Sequence, residues 1–180
     1  RKLEEYKRLS RELVAHGAII DYYQDTMQIP NGNIAKWDFI KHKGAAAVVP
    51  IDEQGRLIMV RQYRNALERY TLEIPAGGLQ TPEEPTRDAA ARELSEETGY
   101  HCDQLELLLS IRTTVAFCNE KIDIYVAEHL TPGKQHLDED EYVQVKAYPL
   151  EELVEKIYAG EIQDSKTVAA ILAYKDKYHK

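Results

Sequence analysis

Three glutamates in the middle of the chain have the spacing of a metal-binding helix face. Glu96 and Glu97 follow Glu93 by three and four residues, so at about 3.6 residues per turn the three carboxylates share one face of a helix. Negative charges at that spacing repel one another, and a hard divalent cation such as Mg²⁺ relieves the repulsion because carboxylates and substrate phosphates are its usual ligands. The alternative interpretation is an acidic helix face exposed to solvent, which is the usual meaning of such a run.

The residues around the three glutamates predict a helix that is held against a sheet. Arg92 lies four residues before Glu96 and can orient its carboxylate as an i,i+4 pair. Thr81–Glu84 has the spacing of a capping box with Pro in the first turn, and Gly99 suits the position after the last turn. The opposite face carries small or apolar side chains that can pack on a sheet: Ala89, Ala90, Leu94 and Thr98. These features favour a positioned metal site over an exposed acidic face.

This stretch resembles the Nudix box, whose pattern is G-x5-E-x7-R-E-L-x-E-E-x-G. The matching residues are Gly78, Glu84, Arg92, Glu93, Leu94, Glu96, Glu97 and Gly99. Gly77 is an alternative for the first glycine and lengthens the loop by one residue, and Tyr100 replaces the aliphatic residue usual at the last position. The resemblance implies a hydrolase that uses Mg²⁺, with Mn²⁺ as an alternative because it also suits carboxylates. It adds Ala76 to the three glutamates as a metal ligand.

Two further motifs resemble the ADP-ribose pyrophosphatase branch of the Nudix family. Arg61–Arg64 reads R-Q-Y-R, and Leu72–Gly77 reads L-E-I-P-A-G immediately before the box. Arg64 can place its guanidinium on a diphosphate in a bidentate manner. The alternative is a surface arginine paired with Glu68 or Glu73. The resemblance implies that Arg64 and Glu73 both belong to the substrate-binding residues.

The residues expected to recognise the rest of the substrate match the branch only in part. Trp37, the only tryptophan, stands where the branch often has Arg, and either side chain can stack on a purine; the alternative is a core or interface tryptophan. Phe117 and Glu120 keep the end of the branch pattern S-x-x-x-S-P-G-F-x-D-E and are predicted to contact the substrate. Thr114–Ala116 replaces its Ser-Pro-Gly. Because that proline marks ADP-ribose specificity, its absence puts the substrate in question but leaves hydrolysis unaffected.

The general base that activates the attacking water is predicted on an acidic loop, Asp138–Glu141. A carboxylate on a mobile loop is a frequent base in the family that the box resembles, and loop closure can bring it to hydrogen-bond distance of its water. Glu141 is preferred to Glu139 because it opens an E-x-V-x-V pattern; the alternative is an exposed acidic turn. Arg92 and Glu96 complete the predicted catalytic residues.

Composition restricts the protein to a few classes. Its 180 residues are 43% hydrophobic and 30% charged, which suits one globular domain with at most a small appendage. A net charge of −8 argues against nucleic acid as a partner, so an enzyme acting on phosphates must supply counter-charge through metal ions and local arginines. No apolar run approaches the roughly 18 residues of a membrane span, and we find no secretory leader. Two cysteines fit a cytoplasmic protein without disulfides.

The start of the chain is rich in strand-forming residues. Residues 2–9 are expected to form a short helix or an arm, and Asn31–Gly32 is a strong hairpin signal between the strand-rich segments that follow. We therefore expect residues 1–43 to form a small antiparallel β unit that contributes to dimerisation and substrate contacts. Such a unit is too thin to be stable alone. It should pack on the rest of the chain, on the second subunit of a homodimer, or on both.

The remainder of the chain, residues 44–180, is expected to form the hydrolase domain. Strand-like segments alternate with the acidic helix, and two further helices begin at Pro149 and at Asp164 or Ser165. This order predicts a mixed α/β (α+β) fold. The resemblance makes it an α/β/α sandwich with a mixed sheet.

The residues and the resemblance together predict metal-dependent hydrolysis of a small molecule in which a nucleoside diphosphate is linked to another group. ADP-ribose, cut to AMP and ribose 5-phosphate, is the leading substrate, and a nucleotide sugar is the alternative because Val115 occupies the position of the branch's proline. A rival of a different class is a non-catalytic Nudix module that senses such a ligand. A sensor is free to lose Glu93 or Glu97, and this chain keeps both.

Overall fold

The computed structural model of the chain describes residues 5–137, 139 and 142–179. The chain divides into two compact units. The first comprises Arg1–Gly44 and Arg112–Glu120, and the second comprises Ala45–Ile111 and Lys121–Lys180. The first unit therefore combines the N-terminal segment with a short segment from the middle of the sequence.

The described part of the first unit contains an antiparallel sheet of order β1-β2-β3. Its strands are β1 (Lys7–His16), β2 (Asp21–Gln28) and β3 (Ile34–Lys41). The Gly32 N–H donates to the Ile29 carbonyl at 2.8 Å and closes the turn predicted at Asn31–Gly32. Lys7–Leu9 belongs to β1, so this stretch is not the short helix considered for residues 2–9. Pairing with β2 holds its backbone extended.

The described part of the second unit forms three sheets of order β7-β4-β10-β9, β12-β5-β6 and β11-β8. The strands are β4 (Ala45–Pro50), β5 (Leu57–Arg64), β6 (Arg69–Glu73), β7 (Ala76–Gly78), β8 (Tyr100–His101), β9 (Leu105–Arg112), β10 (Lys121–Ala127), β11 (Thr131–Pro132) and β12 (Gln144–Tyr148). β4 and β10 are parallel, whereas β7 pairs with β4 in the antiparallel direction. The sheet around β4 is therefore mixed, as predicted.

Helices cover both faces of the β4–β10 pair. They are α1 (Thr86–Glu93), which continues as a π-helical turn (Leu94–Thr98), α2 (Leu150–Tyr158) and α3 (Ser165–Tyr178). Successive side chains of a strand point to opposite faces. Accordingly, Ala46 and Val48 pack with the residues of α1 and the π-helical turn, whereas Ala47 and Val49 pack with α2 and α3. This arrangement is the predicted α/β/α sandwich.

The acidic helix begins later than the capping-box spacing predicts. Thr81–Glu84 forms a turn in which the Glu84 N–H donates to the Thr81 carbonyl at 3.1 Å. The carboxylate of Glu84 accepts from the Gln80 N–H at 2.6 Å, so it does not close a capping box. α1 instead starts at Thr86, directly after Pro85, which fits the restriction that proline places on the residue before it.

The two C-terminal helices begin where the sequence predicts. Pro149 precedes α2, and the carboxylate of Asp164 caps α3 by accepting from the Thr167 N–H at 3.1 Å. β7 was not predicted because Ala-Gly-Gly has no strand-forming side chains; its pairing with Ala45–Ala47 of β4 makes it a strand. Within the described ranges, every helix is too short or too polar to cross a bilayer.

Candidate active site

β7 lies directly against the helix that carries the predicted metal ligands. The Ala76 N–H donates to Glu97 Oε2 at 2.9 Å. The next residue, Gly77, has no side chain, and a Cβ there would overlap the carboxylate of Glu93. Position 77 therefore requires glycine because only bare backbone fits beside that carboxylate.

Two of the three glutamates are buried. Glu97 is only 2% exposed and Glu93 is also buried, whereas the side chain of Glu96 is partly exposed. Burying a carboxylate costs free energy unless other groups compensate its charge. An acidic face exposed to solvent, the alternative interpretation, therefore does not describe Glu93 and Glu97.

Arg92 donates hydrogen bonds to several carboxylates of the box. It donates to Glu93 Oε1 at 2.5 Å, to Glu96 Oε2 at 3.1 Å and, through Nη2, to the Gly78 carbonyl at 3.2 Å. The Glu96 pair has the expected i,i+4 spacing, and a contact of 3.4 Å adds Glu84. Burial lowers the pKa of Arg92, but the charges and hydrogen bonds of Glu93 and Glu84 outweigh burial and raise it. Arg92 thus remains a cation that orients the glutamates.

Two of the last carbonyls of the π-helical turn accept hydrogen bonds from a neighbouring segment. The Glu97 carbonyl accepts from Gln135 Nε2 at 2.6 Å. The Glu96 carbonyl accepts from the His136 N–H at 2.9 Å. Such turns are rare and are frequent at functional sites. Gln135 was not among the predicted site residues, since nothing in the sequence indicates a contact across 38 positions.

Arg64 forms a bidentate pair with Glu73. Its Nε and Nη2 donate to Glu73 Oε1 and Oε2 at 2.7 and 2.6 Å, which is the alternative interpretation of this arginine. Glu73 is 1% exposed, and it also accepts from Lys166 Nζ and Thr71 Oγ1 at 2.6 Å each. Burial raises the pKa of Glu73, but the hydrogen bonds of Arg64 and the charge of Lys166 overcome burial and hold the pKa at about 2. Glu73 is therefore ionised at neutral pH.

The negative charges that act on Arg64 include that of Glu97 on the acidic helix. The hydrogen bond from Glu73 raises the pKa of Arg64 most, and the negative charges of Asp164 and Glu97 raise it further. Glu97, one of the predicted metal ligands, therefore contributes to the negative charge that acts on Arg64.

Three predicted substrate residues belong to the first unit. Trp37 is 45% exposed and its ring lies 5.8 Å from that of Tyr6, centroid to centroid. Phe117 is exposed as well. Glu120 accepts from Thr113 Oγ1 at 2.6 Å. Trp37 and Phe117 thus offer aromatic surface to a ligand, and their roles and that of Glu120 stay predictions.

The two candidates for the general base belong to the predicted acidic loop, Asp138–Glu141. Glu139 is exposed in a turn, where its carboxylate is open to water. Glu141, the preferred candidate, lies outside the described residues. The choice between them therefore stays a prediction.

The sequence model of the NUDIX domain matches residues 41–171. The chain belongs to the Nudix family. The motif that predicted this family, including the buried Glu93 and Glu97, lies within the matched range.

Relatives of this Nudix chain match it over nearly its full length. It is 41% identical over 172 residues to the methanol dehydrogenase activator of Bacillus methanolicus, covering 94% of this chain and 92% of that protein. It is 40% identical over 173 residues to the ADP-ribose pyrophosphatase of Bacillus subtilis (strain 168), covering 95% and 92%. The crystal structure of an ADP compounds hydrolase has a TM-score of 0.86 at 24% identity, covering 98% and 95%, which supports the fold. The prediction of a Nudix pyrophosphatase is confirmed.

Nudix hydrolases in general use divalent metals, and the donors of this box fit one. Glu93 and Glu97 are buried carboxylates beside the backbone of Ala76 and Gly77, so the available ligands are oxygens, as a hard cation prefers. Within the described part of the chain, no three His, Cys, Asp or Glu side chains form a complete metal cluster. The two buried glutamates are thus the described core of the site.

Proposed function

We propose that this Nudix enzyme hydrolyses a nucleoside diphosphate linked to another group, with ADP-ribose, cut to AMP and ribose 5-phosphate, as its principal substrate. The observation that carries the proposal is the pair of buried carboxylates, Glu93 and Glu97, beside the backbone of Ala76 and Gly77. The similarity to an ADP-ribose pyrophosphatase over most of the chain supports the choice of substrate. Val115 departs from the branch pattern, so a nucleotide sugar is the competing outcome of the test.

Glu93, Glu97 and the Ala76 carbonyl are the proposed ligands of Mg²⁺, with Glu96 as a further ligand. Oxygen donors also suit Mn²⁺, so the two metals are to be compared directly. When bound, the ion neutralises charge on the diphosphate and lowers the pKa of a ligand water. Arg92 serves this site by holding the carboxylates of Glu93 and Glu96 in place.

Three further residues of the second unit are proposed to bind the diphosphate, to accept the proton of the attacking water, and to hold Arg64. Arg64 donates to the diphosphate oxygens, where negative charge increases as the bond breaks. Glu141, or Glu139 in its place, accepts the proton of the attacking water as general base. The water oxygen bonds to one phosphorus, and the bridging oxygen leaves with the other phosphate. Glu73 would orient the Arg64 guanidinium before substrate arrives, which its bidentate pairing with Arg64 supports.

The first unit is proposed to recognise the nucleoside and to join two subunits. Trp37 stacks on the base, and Phe117 and Glu120 contact the substrate. The apolar side chains exposed on its sheet, among them Leu13 and Val14, support a homodimer, because such surface is usually covered by a partner. We propose a cytoplasmic location, in keeping with the sparse cysteines.

A substrate panel tests the proposal. The purified chain is incubated with ADP-ribose, with nucleotide sugars and with dinucleotides, each in the presence of Mg²⁺ or Mn²⁺. The products are identified by mass spectrometry. We expect AMP and ribose 5-phosphate to form fastest, and no product after chelation of the metal. Glu97→Gln is the inactive control. Turnover of nucleotide sugars in preference to ADP-ribose would replace the substrate, and no turnover of any compound would support the non-catalytic module.

A further inference from the structure

Lys166 is a buried lysine at the start of α3 that the predicted site does not include. Its Nζ donates to Glu73 Oε2 at 2.6 Å and to Asp164 Oδ2 at 3.0 Å. Asp164 is itself fixed, because its carboxylate accepts from the N–H and the hydroxyl of Thr167 at 3.1 and 2.6 Å. The beginning of α3 therefore holds the ammonium in one place beside Glu73.

Glu73 is paired with two cations, although one would neutralise its single negative charge. Arg64 already covers both carboxylate oxygens, and Lys166 adds a second cation on Oε2. Asp164 supplies the balancing negative charge, so the four ionised groups sum to zero when Arg64 is in place. If Arg64 leaves, Lys166 is still within hydrogen-bond distance of Glu73.

The two cations differ in their exposure to solvent. Lys166 is buried, whereas the side chain of Arg64 is 41% exposed. Arg64 is also the last residue of β5 and precedes a short 3₁₀ turn at Asn65–Leu67. The side chain of Arg64 therefore borders solvent, whereas that of Lys166 is enclosed. A buried carboxylate that loses its only cation is strongly destabilised, so a second, fixed cation is what permits the first to leave.

We propose that Lys166 is a positioning residue that keeps Glu73 neutralised while Arg64 transfers from Glu73 to the diphosphate of the substrate. The inference rests on the proposed function, in which Arg64 binds that diphosphate. In the free enzyme Glu73 binds the guanidinium of Arg64. In the complex the ammonium of Lys166 is the cation that neutralises Glu73. Without Lys166, the arginine is retained by Glu73 and the diphosphate loses its bidentate donor.

The test measures binding and the position of Arg64 separately. Calorimetry with inorganic pyrophosphate and Mg²⁺ gives the Kd, and the Nε–Hε resonance of Arg64, assigned with Arg64→Lys, reports whether the guanidinium changes partners. In the wild type we expect pyrophosphate to shift this resonance. In Lys166→Met we expect a Kd about tenfold higher or more and no shift. Lys175→Met, which replaces a partly exposed lysine of the same helix paired with Glu151, is the matched control and should behave as the wild type.

A second variant separates neutralisation from a merely structural contact. Glu73→Gln removes the buried charge, so Arg64 no longer needs a replacement when it leaves. In Glu73→Gln/Lys166→Met we therefore expect pyrophosphate to bind within about threefold of Glu73→Gln alone, and Lys166→Arg should keep wild-type binding. The double variant has no unpaired buried carboxylate, so it remains informative if Lys166→Met fails to fold.

Each outcome decides the inference. Wild-type Kd in Lys166→Met, a double variant as weak as Lys166→Met, or no pyrophosphate-dependent shift of the Arg64 resonance in the wild type would overturn it. The proposed function is judged separately by the substrate panel. If the panel shows no hydrolysis but the pyrophosphate results hold, the transfer of Arg64 stands and the reaction is wrong. If hydrolysis occurs but Lys166→Met binds normally, the inference alone fails.

Discussion

The backbone of Gly77 and the carboxylate of Glu93 adjoin so closely that a single methyl group at position 77 would overlap the carboxylate. The neighbouring Ala76 N–H bonds to Glu97. The short strand β7 therefore fixes the positions of both buried glutamates. Its geometry is a stronger argument for a metal site than the acidic pattern alone.

Gly77→Ala should displace Glu93 and impair catalysis. The added Cβ and the carboxylate cannot occupy the same space, so we expect kcat to fall by about tenfold or more and the Mg²⁺ concentration for half-maximal activity to rise. Metal titrations of activity measure both. Gly55→Ala is the control: its Cβ meets no atom within 4 Å, although its φ of +74° favours glycine. That variant should lose some stability and keep its activity. Normal metal dependence in Gly77→Ala would contradict the role of Glu93.

Glu93→Gln and Glu97→Gln should each lower kcat on the order of 100-fold or more, which corresponds to about 3 kcal/mol of barrier. An amide keeps the shape of the side chain but loses the charge that a divalent cation requires, so the fold should be retained. Circular dichroism and steady-state kinetics at saturating Mg²⁺ check the two statements. Glu151→Gln, an exposed glutamate on α2, should change neither. Near-wild-type turnover in either box variant would remove it from the metal site.

Much of the fold follows from local sequence signals. The parts that could not be predicted are set by contacts between residues far apart in the sequence. Asp164 begins α3 and Gly99 ends the acidic helix, as their residue types predict. The start of that helix was placed too early because the Thr81–Glu84 spacing suits a turn as well as a cap. The pairing of Glu73 with Lys166 joins residues 93 positions apart, and no local pattern reports such a contact.

Acid should destabilise the protein partly through Glu73. Its pKa is 4.5 ordinarily and about 2 in the folded chain, so the folded state favours the charged form. The resulting stabilisation, about 3 kcal/mol, is present above pH 4.5 and is lost as the pH falls towards 2. Urea unfolding at a series of pH values should show a steeper loss over this range for the wild type than for Glu73→Gln. Equal slopes would mean that Glu73 has an ordinary pKa.

The homodimer prediction concerns the first unit, whose sheet exposes apolar side chains such as Leu13, Val14 and Ile34. Exposed apolar surface of this kind is usually covered in an assembly. Light scattering at micromolar concentration should therefore give about twice the chain mass of 20.7 kDa. Leu13→Lys/Val14→Lys should shift the mass towards one chain, and Glu151→Gln should not. A wild-type mass near 20.7 kDa would refute the dimer.

Replacing Arg64 or Trp37 by alanine should change the steady-state kinetics in different ways. Arg64→Ala removes a charge-assisted contact that strengthens as charge develops on the phosphates, so both kcat and kcat/KM should fall. The fold should survive, because Lys166 and Thr71 still bond to Glu73.

Trp37→Ala removes a contact remote from the reacting phosphorus that is equal in the ground and transition states. It should therefore raise KM with little change in kcat, by roughly 1–3 kcal/mol for a lost stack between a base and an aromatic ring. The preference for adenine over uracil substrates should also weaken, since stacking favours the larger purine. Steady-state kinetics with ADP-ribose and a uridine diphosphate sugar measure both effects, and Tyr158→Ala, an exposed aromatic residue, is the control. An unchanged KM for ADP-ribose in Trp37→Ala would leave the dimer interface as the role of this exposed tryptophan, and the base would then be held elsewhere.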